Sequence, residues 1–308
     1  MHFWLLLALF FMLSPAAMAE SWDELHKTGV AALHDGDYAQ AEKALTSART
    51  KAEKSGARYG NFATTLLDLG LLYDKKNNVA ESEKNYKDAL AIYEKSYGAE
   101  AIQDASALHG LADLYRHNKR YKEAEPLFIR AMKIREKVAS DSPDLADTLN
   151  GLADVYRKTG KNAEAVPVYT RVLDIRQKAL GSNHPKTAKS LENLAAAFVA
   201  NNKLEMAVPV YEKLVTARQS SAGAADPKVA TALEGLADLQ TKLGKYKKAQ
   251  TGYKQALEIR EANAKSNPAA LTECLKAYAV LLSKTGLTEE ATKIETRVKK
   301  GVQAGSSK

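Results

Sequence analysis

The sequence predicts an all-α solenoid of about seven helical hairpins, and three observations point to it. A small residue recurs at a nearly constant interval, large apolar residues keep step with it, and the prolines keep step as well. Small residues at Gly29, Gly70, Ala112, Ala153, Ala195, Ala237 and Ala279 lie 41, 42, 41, 42, 42 and 42 positions apart. A period in this range marks stacked units, none of which can bury its apolar face alone. Only 8 prolines are found in 308 residues, and Ala, Leu, Lys and Glu are abundant, so helix is favoured throughout.

Each period resolves into two helices. Directly before the recurring small residue stand Thr28, Leu69, Leu111, Leu152, Leu194, Leu236 and Tyr278, and three after it stand Ala32, Tyr73, Tyr115, Tyr156, Phe198, Gln240 and Leu282. With the residues four before it, these form one stripe at helical spacing. Seven after it come Gly36, Asn77, Lys119, Gly160, Asn202, Gly244 and Gly286. Gly and Asn tolerate the left-handed backbone that ends a helix, so the first helix is predicted to stop there.

The second helix follows at once. Twelve after the small residue lie Ala41, Ser82, Ala124, Ala165, Ala207, Ala249 and Ala291; four further on lie Leu45, Tyr86, Phe128, Tyr169, Tyr211, Tyr253 and Glu295. Ala48, Ala89, Ala131, Val172, Leu214, Ala256 and Val298 come three beyond those. The order small, large, small on one face lets two backbones approach while the large side chain fills the groove between them.

Proline tests this division independently. Pro143, Pro185, Pro227 and Pro268 fall where a first helix opens, a position at which the missing N–H costs nothing. Pro126, Pro167 and Pro209 all lie 14 after the small residue, early in a second helix. Pro15 alone falls outside these two phases.

Leu-Gly or Leu-Ala, then Tyr, Gly-x-Tyr, Ala, Tyr and Ala at these offsets resemble the tetratricopeptide repeat. With a period near 42, and stretches such as Leu149-Asn150-Gly151-Leu152-Ala153-Asp154-Val155-Tyr156 and Asn183-His184-Pro185, the chain resembles the kinesin-light-chain subclass. The resemblance covers about residues 20–300, leaving 301–308 as an expected flexible tail. It implies a right-handed superhelix whose first helices line a concave groove, where extended peptide segments of protein partners bind. It carries no motor role.

Residues 1–19 stand apart from the repeats. Phe3 to Leu13 is an unbroken apolar run of 11 residues, followed by Ser14-Pro15 and then Ala17-Met18-Ala19. A short apolar core ending in small-x-small is the pattern of a cleavable secretory signal, and it is short for a bilayer span of about 20 residues. Met1-His2 brings no Lys or Arg, which leaves an uncleaved anchor as the alternative. The expected location is therefore the periplasm or the cell exterior. Cys274 is the single cysteine, so no internal disulfide is available and stability must come from helix packing.

Little in the sequence points to catalysis. There is no phosphate-binding Gly-rich loop, no Gly-x-Ser-x-Gly elbow, no paired CxxC and no HExxH, and no non-repeat stretch long enough for a catalytic domain. The histidine pairs His26/His34 and His109/His117 are each eight apart, a poor spacing for a shared metal ion on one helix. Cys274 occupies a phase that elsewhere holds Thr65, Ala107, Thr148, Ser190 and Ala232, which reads as small-residue packing. No metal, cofactor, nucleic acid or small-molecule substrate is expected.

The candidate site is the side of each first helix away from its packing stripe. Residues three before, one after and four after the small residue share that side. They are His109, Asp113 and Arg116; Asn150, Asp154 and Arg157; Glu192, Ala196 and Val199; and Glu234, Asp238 and Thr241. Arg116 and Arg157 suit carboxylates or carbonyls of a bound segment, with Ala196 and Val199 as an apolar pocket beside them. The same side also reads as a solvated face with internal Asp–Arg pairs. The net charge of +8 supports a second reading, a binder of an anionic envelope polymer or membrane surface.

Overall fold

The computed structural model describes residues 20–54 and 59–306, with side chains to residue 299. Fourteen α-helices and no strand occur among the described residues. The expected signal segment lies outside them. The helices fall into two compact units that divide within one helix, the first ending at Leu114 and the second beginning at Tyr115.

In the first unit α1 (Trp22–Asp35) packs on α2 (Tyr38–Lys54), and α3 (Tyr59–Lys75) on α4 (Val79–Tyr97); most of α5 (Ile102–His117) also belongs to it. The second unit continues with α6 (Tyr121–Val138), α7 (Pro143–Lys158), α8 (Asn162–Leu180), α9 (Pro185–Ala200) and α10 (Leu204–Ala222). It ends with α11 (Pro227–Lys242), α12 (Tyr246–Ala262), α13 (Pro268–Lys284) and α14 (Thr288–Ser306). From α6 onward each helix packs on the next in the chain. Because α14 runs to Ser306, helix extends into the stretch expected to be a tail.

The stop signals act as the spacing requires. Every one of the seven positions has a positive φ, from 54° at Asn202 to 80° at Gly36 and Gly160. The next residue then donates back to a carbonyl of the last turn: Lys161 N to Tyr156 O, Lys203 N to Phe198 O and Lys245 N to Gln240 O, each 2.8 Å. This bond closes carbonyls that the helix leaves open. Lys119 adopts φ 60° in the same place, without the freedom of Gly or the tolerance of Asn.

Helix starts are capped by side chains. Ser142 Oγ accepts from Leu145 N at 3.2 Å, the Asp226 carboxylate from Lys228 N at 2.7 Å, and Asn267 Oδ1 from Ala270 N at 3.1 Å. His184 does the same through Nδ1, 3.1 Å from Lys186 N, so this histidine is a helix cap. A proline follows each of these four caps as the first helical residue. Pro126, Pro167 and Pro209 lie inside α6, α8 and α10 as expected.

Packing joins each second helix to the first helix of the following pair. Phe128 is fully buried, and a Cβ added at Gly151 would fall 2.4 Å from its Cζ. Gly110 stands 2.4 Å from Tyr86 Cε1 by the same measure, and Gly235 2.7 Å from Tyr211 Cε1. The aromatic of one pair thus presses against bare backbone of the next. Burying such a ring contributes about 2–3 kcal/mol, which is realised only when the neighbouring helix is in place.

Candidate partner-binding face

The predicted residues lie along the half-exposed sides of the first helices, and most already have a partner within the chain. In the first unit His109 Nε2 is 3.6 Å from Asp113 Oδ2. In the second, Asp154 is the meeting point: Arg116 Nη1 approaches it at 3.6 Å and Arg157 Nη2 at 3.4 Å. The Tyr169 hydroxyl donates to it at 2.5 Å. Burial, and next the Asp154 charge, push the Tyr169 hydroxyl well above the ordinary tyrosine range, so it remains a donor. Tyr253 and Asp238 repeat the bond two repeats later. Asn150 accepts from Asn193 Nδ2 at 3.0 Å, joining α7 to α9 side by side.

Glu192 and Glu234 are held by arginines. Arg218 Nη2 reaches Glu192 Oε2 at 2.8 Å, and Arg260 grips both oxygens of Glu234, Nε and Nη2 each at 2.8 Å. These arginines belong to a column formed by Arg135, Arg176, Arg218 and Arg260, one per second helix, at the same phase of the repeat. Arg135, Arg176 and Arg260 are buried. Each reaches into the first turns of a neighbouring first helix: Arg135 Nη1 to Asp144 O at 2.8 Å, Arg176 Nη1 to Ser190 Oγ at 2.8 Å, and Arg218 Nη1 to Lys228 O at 2.7 Å. A guanidinium carries five donors in a rigid fork, so one side chain ties two helices together. The apolar stripe did not reveal this column, although its spacing is as regular as that of the small residues.

What remains open on the face is narrower than the predicted set. Ala196 and Val199 are half-buried and form an apolar window on α9. Val280, at the phase of Ala196, is 61% exposed and extends the same character onto α13. Thr241 Oγ1 donates to Ala237 O of its own helix at 2.8 Å. Arg157, at the phase of Val199 one repeat earlier, holds Asp154 at 3.4 Å and also bonds the Tyr169 hydroxyl, and its fork of five donors leaves some for an incoming acceptor.

The groups with catalytic potential are engaged structurally. Cys274 is buried, and burial, followed by the Glu234 charge, pushes its thiol up to about 12. His26 stacks on Trp22 with ring centres 4.6 Å apart and pairs with Asp68 at 2.6 Å, linking α1 to α3. Among the described residues no group of three or more His, Cys, Asp or Glu side chains is arranged to hold a metal ion. No helix among them is long and apolar enough to cross a membrane.

The tetratricopeptide repeat model matches residues 25–95, 103–178, 144–220 and 203–262. Among solved structures, the nearly identical TPR-like repeats of a Podosopora anserina protein assigned to the kinesin light chains are 26% identical. That match covers 66% of this chain and 95% of the other, with a TM-score of 0.58. BtubC (BKLC) from P. vanneervenii is 22% identical over 76% of this chain and 92% of its own, with a TM-score of 0.61. YrrB, described as a TPR protein with an unusual peptide-binding site, is 17% identical over 69% and 92%, with a TM-score of 0.51. No functionally curated protein matches the chain.

Proposed function

The chain belongs to the tetratricopeptide repeat family, and we propose that it is a non-enzymatic scaffold that holds partner proteins on the first-helix face of its repeats. The observation that carries this reading is an apolar window and a half-exposed cation at the same phase of consecutive first helices. Ala196 and Val199 are half-buried on α9, and Arg157 holds the phase of Val199 one repeat earlier, 3.4 Å from Asp154. An extended segment with an apolar side chain and a nearby carboxylate or carbonyl complements that combination. YrrB is described as binding peptide with this fold, so the scaffold is suited to the task.

The place of action in this reading is the periplasm or the cell exterior, reached through residues 1–19. Support comes from the apolar run Phe3 to Leu13, the Ala17-Met18-Ala19 ending, and a chain with one cysteine. N-terminal sequencing of the protein from its source cells tests this. A mature terminus near Glu20 is expected; an intact Met1 in the envelope fraction replaces the cleaved signal with an anchor.

The binding face is tested by affinity capture from the native envelope with the wild type and the Arg116→Glu/Arg157→Glu double variant. Specific loss of one or more interactors in the variant is expected. Equal recovery of every interactor by both proteins rules out the arginine-centred face. Repeating the capture at raised salt addresses the anionic-polymer reading. Polymer binding driven by net charge collapses over that range, whereas a complex with buried apolar anchors weakens only modestly.

A further inference from the structure

The second helices bear a repeating ion pair, and a cleft opens between α8 and α10, where it is missing. Arg171 of α8 pairs with Glu136 of α6, and Arg297 of α14 pairs with Glu261 of α12. The two pairs occupy the same phase: the arginine lies 18 after the small residue, the glutamate 24 after the small residue of the preceding repeat. Each is a rung closing the gap between consecutive second helices.

Between α8 and α10 the same two positions hold Gln177 and Lys213. The cation is kept and its acid is gone. Lys213 forms no hydrogen bond or ion pair with any described residue. The gap opens there into a cleft of about 490 Å³, floored by Leu191 and walled by Pro209, with Asn183 at the turn before α9. A comparable cleft of about 450 Å³ opens in the first unit between α2 and α4, where the rung positions carry the like charges Glu53 and Asp88. Clefts thus open at two of the steps where the rung is not made; between α10 and α12 the two positions hold Gln219 and Gln255, which cannot form it either.

We propose that the cleft between α8 and α10 is a second docking site, which takes an acidic side chain of a partner segment. The partner's carboxylate takes the place that Glu136 and Glu261 fill at the closed steps, paired to Lys213 and hydrogen-bonded by the amide of Gln177. The apolar floor receives the neighbouring side chain of the segment. Glu212 also lines the cleft, so the complement is one acid among uncharged residues and not an acidic run. The site is independent of the first-helix face: either can exist without the other.

A fluorescence titration of the full chain tests it with a labelled Gly-Ala-Leu-Glu-Leu-Ala-Gly peptide and its Gln and Lys counterparts. Wild type is expected to prefer the glutamate peptide by about tenfold, the scale of one charge-assisted contact. Gln177→Glu supplies the missing acid from within and closes the rung, so it is expected to lose that preference while melting no lower than wild type. Arg157→Glu is expected to retain it. Absence of a glutamate preference, or its survival in Gln177→Glu, overturns the proposal. Its loss in Arg157→Glu with survival in Gln177→Glu moves the site to the first-helix face.

Discussion

The hydroxyl of Tyr169 donates to Asp154 across 2.5 Å, from the interior of α8 to the exposed side of α7. Tyr169 has no exposed surface. A ring whose body packs two helices together therefore also fixes a carboxylate on the candidate face. Tyr169→Phe keeps the packing and removes the donor, so it is expected to cost about 1 kcal/mol, read from chemical denaturation. Arg157, left as the nearest donor to Asp154, is expected to be drawn closer and to bind acidic partners less well. An unchanged midpoint would show that water replaces the hydroxyl.

Lys119 is the non-glycine, non-asparagine residue among the seven first-helix stops, and it holds φ 60°. A left-handed residue with a Cβ costs roughly 1–2 kcal/mol. Lys119→Gly is expected to recover about 1 kcal/mol of this, the gain being reduced by the greater freedom of glycine in the unfolded chain. Thermal melts check it. Gly160→Ala, placing a side chain at φ 80° in the equivalent position, is expected to move the melt the other way.

Gly151 is held against Phe128 with no room for a methyl group. Gly151→Ala is expected to destabilise by about 1–3 kcal/mol through overpacking. Combining it with Phe128→Leu, which trims the ring the methyl would strike, is expected to cost less than the sum of the two single changes. Additive losses would show that the two residues do not share the contact.

Cys274 is closed to reagents for a physical reason. Its thiol is pushed up to about 12 by burial, so the thiolate is scarce at pH 8 and the sulfur is out of reach. A disulfide-exchange reagent at pH 8 is expected to label it only on unfolding. The sign of the pH effect follows. The folded state favours the neutral thiol, so this contribution is complete below the ordinary value of 9.0 and is lost as pH rises towards 12. Cys274→Ala is expected to flatten that part of the alkaline stability profile.

Much of the fold was legible because it depends on local, periodic choices. Positive φ at Asn77, Gly160 and Asn202, and proline behind the caps Ser142, His184, Asp226 and Asn267, each express one residue's own backbone preference. The candidate face was legible as a surface but not in its chemistry. Whether Glu192 or Glu234 is open to a partner depends on Arg218 and Arg260, each 26 residues further along the chain. Spacing along one helix carries no trace of that pairing, and a search for apolar periodicity passes over a column of arginines. Asp154 and Asp238 were hidden in the same way, because the hydroxyls that hold them come from residues read as packing aromatics.

The most direct test of the scaffold account is photo-crosslinking in the source cells from an unnatural aromatic residue placed at Val199, on the first-helix face, and at Lys254, on a second helix. The account predicts a discrete adduct to one or a few proteins from Val199, lost in the Arg157→Glu background, and none from Lys254. Adducts from Lys254 alone, or none from Val199 under conditions where the partner is retained, would contradict it.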